Sequence, residues 1–248
     1  MITPAIALVC MSRRRARTWP RQSGRFFPEA TLCVAEEERD EYHGLTKREL
    51  LLHPNNVTGI GPVRQWILDH VSSPLVYMVP DDIVGAYGLT GTYANHIAPP
   101  LIWDLLVNTI ECAEAAGAHL CGFNQAWDVR KFTPLQPFNL NGWVDGPMGV
   151  VGRELRYDPK LKLHADTDFA LQHLRKFRII WQDNRFAFAH DRWKQAGGNA
   201  VNRTKAAHDV EFAYLHRKWG AHLRTRWAKG TFISKISVER RQHGTDML

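Results

Sequence analysis

The chain of 248 residues is 44% hydrophobic, enough to bury one substantial core, and it carries 32 Lys and Arg against 25 Asp and Glu for a net charge of +7. No run approaches the roughly 20 apolar residues a membrane helix needs, and the apolar opening at residues 2–10 is followed rather than preceded by basic residues, the wrong order for a signal peptide. The four cysteines show neither CxxC spacing nor the density of a secreted scaffold, which points to a reducing, cytoplasmic setting; the basic excess favours polyanionic partners without identifying one.

Residues 5–9 read as a short buried strand that stops at Ser12-Arg13-Arg14-Arg15, and residues 31–35 repeat the pattern before the acidic Glu36-Glu37-Glu38. Pro62 suits a helix first turn, and Val63, Trp66, Ile67, His70 and Val71 follow on one helical face. A third apolar run, residues 75–79, is too short for a helix and ends at Pro80-Asp81-Asp82, so the acidic pair falls at a strand's carboxyl end. Residues 99–116 have helical periodicity with Gly117 as the C-terminal cap, and residues 120–123 form the next strand. This alternation is the signature of helices packed on a mostly parallel sheet. Residues 132–152, with Trp143 among Pro, Asn and Gly, read as a long loop. Asp166 then caps a helix over 167–176, a strand follows at 178–181, a helix spans 204–219, and a late strand covers 231–238.

Two adjacent carboxylates after a buried strand suit Mg²⁺ or Mn²⁺, hard cations that take oxygen ligands and can bridge to a diphosphate. Pro-Asp-Asp also makes a good turn. Asp166 and Asp168 form a second acidic site at a helix start, where a carboxylate can act as a general base or simply cap the helix.

The chain resembles the TET-associated glycosyltransferases of bacteriophages, a branch of the GT-A superfamily. The residues that carry the resemblance are Ser12-Arg13, the acidic segment at Glu36-Glu37 with Tyr42, Gly59-Ile60 with Val63-Arg64-Gln65, Met78 to Ile83, His164 to Phe169, and Ala196-Gly197-Gly198-Asn199, in that order over roughly residues 5–205. The resemblance implies a single α/β domain of GT-A type, with a nucleotide-sugar-binding half over about 1–125 and an acceptor-binding half over about 126–248. It also implies transfer from a UDP-sugar to the hydroxymethyl group of a modified pyrimidine in DNA, assisted by Mn²⁺ or Mg²⁺ and taking place in the cytoplasm of an infected bacterium.

Under that implication Ser12, Arg13, Glu36, Arg64, Asp81, Asp82, Gly197, Gly198 and Asn199 bind the donor. Asp82 and His190 hold the metal, and Asp166, with Asp168 beside it, serves the attacking hydroxyl. Arg14, Arg15, Trp143, Arg224 and Arg226 are the candidates for contact with the DNA acceptor, since Lys and Arg neutralise phosphates and aromatics stack on bases. The sequence departs from the family's Asp-x-Asp pattern, often three consecutive aspartates, at Pro80, where the first would stand. A glycan or protein acceptor, and a basic nucleic-acid-binding module without turnover, are the alternative readings.

Overall fold

In a computed structural model of the chain, residues 6–126, 128–191, 204–228 and 231–238 are described. The first half runs β1 (Ile6–Met11), α1 (Ser23–Phe26), β2 (Thr31–Ala35), α2 (Arg39–Tyr42), β3 (Leu51–His53), α3 (Ile60–His70), β4 (Leu75–Pro80), β5 (Ile83–Leu89) and β6 (Ala94–His96). The second half runs α4 (Ile102–Ala115), β7 (Leu120–Asn124), β8 (Phe138–Asn139), β9 (Met148–Val151), α5 (Ala165–Phe177), β10 (Trp181–His190), α6 (Lys205–Trp219), β11 (Leu223–Ala228) and β12 (Thr231–Ile236).

Strands β1 to β10 make one mixed sheet in the order β3-β2-β1-β4-β9-β7-β10-β5-β6, with β8 paired to β10. β1 pairs in parallel with β2 and β4, β2 with β3, and β7 with β10, while β9 and β5 enter antiparallel. Successive strand residues point to opposite faces, and both faces are covered. Val9, Met11, Val76 and Met78 pack with α3, α5 and α6, whereas Cys10, Leu75, Tyr77 and Val79 pack with α1, α2 and α4. That double burial is why the parallel strands read as continuous apolar runs.

Three expectations are revised. The loop expected over 132–152 contains β9, inserted between β4 and β7. A Cβ at Gly149 would lie 2.5 Å from Cys121 Sγ and 3.1 Å from Ile110 Cδ1, so close packing here demands the glycine that hides the strand pattern. The strand expected at 178–181 begins instead at Trp181, after Arg178 in the left-handed region, and runs on through the Phe186–Phe188 stretch to His190. The late strand at 231–238 lies outside the main sheet, where β12 pairs with β11 in a separate two-stranded ribbon.

Candidate active site

The β1–β4 register sets the site. Met11 pairs with Pro80, so the next residues along each chain, Ser12 and Asp81, emerge side by side at the carboxyl edge of the sheet. Pro80 sits where the ladder ends and a missing N–H does no harm. Its carbonyl accepts from Ser23 Oγ (2.7 Å), which in turn accepts from Ile83 N–H (2.9 Å), fixing the β4–β5 turn that carries Asp81 and Asp82.

Four buried residues close a ring of hydrogen bonds there. Arg15 N–H donates to Tyr42 Oη (2.9 Å), Tyr42 Oη and Ser12 Oγ lie 2.6 Å apart, Ser12 Oγ donates to Asp81 Oδ2 (2.6 Å), and Arg15 Nη1 donates to Asp81 Oδ1 (2.6 Å). Because Ser12 spends its only proton on Asp81, the Tyr42 hydroxyl must donate to Ser12. Burial raises the Tyr42 pKa and keeps that hydroxyl protonated, outweighing the bonds from Ser12 and Arg15. Burial also pushes the Asp81 carboxyl up, against the opposing pull of Arg15 and Ser12.

Asp82 faces a different partner. Its Oδ1 lies 3.0 Å from His190 Nδ1 at the end of β10, and its Oδ2 is 3.6 Å from Arg15 Nη1. Asp191 N–H donates to the Asp82 carbonyl (2.9 Å), holding the two strand ends together. Gly146, at φ +77°, brings its backbone so near His190 that a Cβ would sit 2.9 Å from Nε2.

Ser12, Arg15, Asp81 and Asp82 line a cleft of about 1120 Å³, counting solvent at its open mouth, together with Met11, Arg13, His53, Val63, Arg64, Asp145, Leu163 and Asp166, and His190 adjoins it through its contact with Asp82. The floor depends on two glycines. A Cβ on Gly59 (φ +95°) would meet Lys162 Cβ at 2.9 Å, and one on Gly61 would meet Ala165 Cβ at 2.7 Å, so α3 can press its amino end against the start of α5 only without side chains there. Arg64, 2% exposed, aligns one amino group with Asp145 (3.4 Å), while its Nε and Nη1 have no partner. Unmatched donors on a buried guanidinium are costly, and their place beside the cleft suits an anionic ligand.

The structure gathers Ser12, Arg13, Arg64, Asp81, Asp82, Asp166 and His190 around this cleft. Asp166 lies in the first turn of α5, whose N-cap position is His164, and accepts from Thr167 N–H (2.9 Å). Other expectations are displaced. Asp168 is fully buried off the cleft and accepts from Trp219 Nε1 (2.7 Å), Lys218 Nζ (2.8 Å) and Gln172 Nε2 (2.7 Å), so it ties α5 to α6. Arg15, expected at a DNA surface, is 8% exposed and is turned inward to Asp81 at the cleft. Glu36 is exposed; the buried acid of that segment is Glu38, which accepts from Arg14 N–H (2.7 Å) and pairs with Arg13 (3.8 Å). Trp143 is half-buried against the core and donates to Thr167 Oγ1 (3.3 Å) rather than standing free to stack on a base. Arg14 is exposed at φ 56°, and Arg224 and Arg226 are exposed on β11. Gly197, Gly198 and Asn199 lie outside the described residues.

Sequence reasoning missed Glu38, Asp145 and the role of Arg15. Glu38 was legible only as part of an acidic run, and Asp145 carried no signal, since its partner Arg64 is 81 residues away.

No family model matches the sequence, nor does any curated protein. Solved structures do match. Glucosyl-3-phosphoglycerate synthase from Mycobacterium tuberculosis, in complex with Mn²⁺, UDP and phosphoglyceric acid, is 13% identical with a TM-score of 0.57 over 94% of this chain and 87% of that one. S. aureus TarS 1–349 in complex with UDP-GlcNAc is 11% identical with a TM-score of 0.53, over 88% of this chain and 68% of that one. In another TarS 1–349 structure the match spans only 59% of that chain. At these identities the shared property is the fold: a large, mostly parallel sheet flanked by helices, of the GT-A type.

Proposed function

We propose that this protein is a nucleotide-sugar-dependent glycosyltransferase that moves a sugar from a UDP-sugar, with Mn²⁺ or Mg²⁺, to the hydroxymethyl group of a modified pyrimidine in DNA. The observation that carries the reading is the cleft at the sheet's carboxyl edge, which brings together Asp82 with its partner His190, the two buried arginines Arg15 and Arg64, and the Asp166 carboxylate. The GT-A neighbours support it, because the M. tuberculosis synthase is in complex with UDP and Mn²⁺ or Mg²⁺, and TarS 1–349 with UDP-GlcNAc.

The residues present fit a divalent ion. Asp82 and His190, whose Oδ1 and Nδ1 are 3.0 Å apart, would hold the ion through a carboxylate and an imidazole. Among the described residues no group of three or more His, Cys, Asp or Glu forms a metal cluster, so diphosphate oxygens and water would complete the shell. When bound, the ion would neutralise charge on the departing diphosphate. Arg13 and Arg64, both in the cleft's lining, would donate to phosphate oxygens. Asp166, in the wall opened by α5, is the carboxylate that would take the acceptor's hydroxyl proton if the anomeric centre is inverted.

The DNA acceptor draws support from the distribution of charge. Residues 214–248 hold eight Lys and Arg against two acidic residues, which is six of the chain's seven net positive charges. Within this segment, Arg224 and Arg226 of β11 share one face of the ribbon with Ile233 and Lys235 of β12, opposite them in register, and all four are exposed. A basic face of this kind suits a phosphate backbone.

The test is transfer of radiolabel from a panel of UDP-sugars to DNA containing 5-hydroxymethylcytosine, with unmodified DNA as control, with and without Mn²⁺, for the wild type and Asp82→Ala. Label confined to modified DNA and lost in the variant is the expected result. A protein that binds UDP yet labels neither DNA rules out the DNA acceptor, and free sugar released from the donor would then redirect the search to glycans or proteins.

A further inference from the structure

We propose that Arg15 is a built-in cation of the donor subsite, which neutralises part of the nucleoside diphosphate's charge and lets this protein bind the diphosphate without a metal ion. The inference rests on the nucleotide-sugar reading of the cleft and deepens it.

Arg15 is held as few exposed arginines are. Its backbone N–H is bound by Tyr42 and its Nη1 by Asp81, and the side chain is 8% exposed, so the guanidinium has no freedom to swing into solvent. From that fixed position Nη1 reaches both acidic residues, 2.6 Å from Asp81 and 3.6 Å from Asp82. Asp81 is thereby spent: Oδ1 accepts from Arg15 and Oδ2 from Ser12, leaving Asp82 as the member of the pair that faces His190. Where a run of acidic residues would collect positive charge from a metal alone, here the protein supplies one positive charge itself, and Pro80 brings no negative charge to oppose it.

The guanidinium is also incompletely used. Arg15 Nε is buried and has no hydrogen-bond partner, although the side chain lines the cleft. A buried N–H of a charged group is rarely left unmatched, and a phosphate oxygen entering beside Asp82 would match it with a charge-assisted bond. Two protein ligands, Asp82 and His190, are also few for a cation expected to bind before the diphosphate arrives. A permanently charged side chain already in place lowers that demand. A purely structural Arg15, serving only as counter-ion to Asp81, would be dispensable once Asp81 is itself made neutral.

The experiment is calorimetric titration of the full chain with UDP, and separately with inorganic pyrophosphate, in EDTA and in Mn²⁺. It compares the wild type with Arg15→Lys, Arg15→Met and the double variant Arg15→Met/Asp81→Asn, which removes the buried cation together with its counter-ion and so keeps the fold free of an unpaired charge. Thermal melting confirms that each variant is folded. The expected result is wild-type binding of UDP in EDTA within about tenfold of its affinity in Mn²⁺, and a loss of about tenfold or more in EDTA for the double variant against about threefold or less in Mn²⁺, with Arg15→Lys between them. Pyrophosphate should follow the same order, because the contact is with the diphosphate. A double variant that binds UDP in EDTA as the wild type does, or a wild type that binds only with Mn²⁺, overturns the role given to Arg15 while leaving the donor reading intact. A wild type that binds UDP under neither condition overturns the donor reading itself.

Discussion

Asp168→Ala separates a structural carboxylate from a chemical one. Asp168 is wholly buried and accepts from Trp219 Nε1, Lys218 Nζ and Gln172 Nε2, so truncation strands the indole N–H of a tryptophan that is 6% exposed. An unmatched buried donor costs about 1–3 kcal/mol. Lys218 keeps its second partner, Asp158 at 2.8 Å, and its side chain is 30% exposed, so the lost ion pair adds about 1 kcal/mol at most. A total of about 1–4 kcal/mol in a domain of this size lowers the melting temperature by about 2–16 °C. The loss should appear first where α6 turns into the β11–β12 ribbon, because Trp219 and Lys218 form the last turn of that helix. Calorimetry and limited proteolysis read the stability, and UDP titration reads the cleft. The reasoning predicts a lower melting temperature, earlier cleavage near the ribbon and a UDP affinity within about twofold of wild type at a temperature where the variant is folded. An unchanged melting temperature accompanied by loss of sugar transfer would refute it and return Asp168 to the reaction.

Glu211→Ala should loosen the cleft wall: its carboxylate accepts from the backbone N–H groups of Lys162, Leu163 and His164 at 2.8–3.1 Å, so we expect a loss of about 2–3 kcal/mol by denaturant titration and weaker UDP binding. Gly146→Ala would set a methyl against the His190 ring at a residue with φ +77°; Mn²⁺ binding followed by spin resonance should weaken several-fold while stability falls by only about 1 kcal/mol, and unchanged Mn²⁺ binding would remove His190 from the metal site. His173 is buried, donates Nδ1–H to the Phe169 carbonyl (2.8 Å) and has its pKa lowered by burial from 6.5 to about 4. Its folded pKa lies below the unfolded value, so the neutral ring contributes its full stability above pH 6.5 and loses it as pH falls towards 4, by about 3 kcal/mol. His173→Phe should flatten the stability profile in that window; a slope identical to wild type would show that other groups set it.

Much of the architecture was legible because its signals are local. The strands at 31–35 and 75–79 announced themselves as apolar runs buried on both faces, and α3, α4 and α6 as periodic stripes ending at turns or glycine. The acidic pair at a strand's carboxyl end could be read for the same reason, since Pro80-Asp81-Asp82 interrupts an apolar run. Strand β9 could not, because what admits it to the sheet is a glycine fitting under Cys121, Ile110 and Tyr77, three residues that only packing assembles.

The amino-acid sequence by itself determined the layering of helices on a mostly parallel sheet and the residue types that gather at its edge: two aspartates, arginines and a late histidine. Tertiary structure alone decided how they are shared out. The β1–β4 register set Ser12 beside Asp81, the end of β10 brought His190 to Asp82 across 108 residues of chain, and the Tyr42 hydroxyl drew Arg15 out of an apparently surface-directed basic run into the cleft. Asp166 and Asp168 look equivalent in sequence, yet the 3.6-residue period of α5 turns one towards the cleft and the other into Trp219. Side-chain role depends on direction and on partners distant in the chain, and neither is written in local pattern.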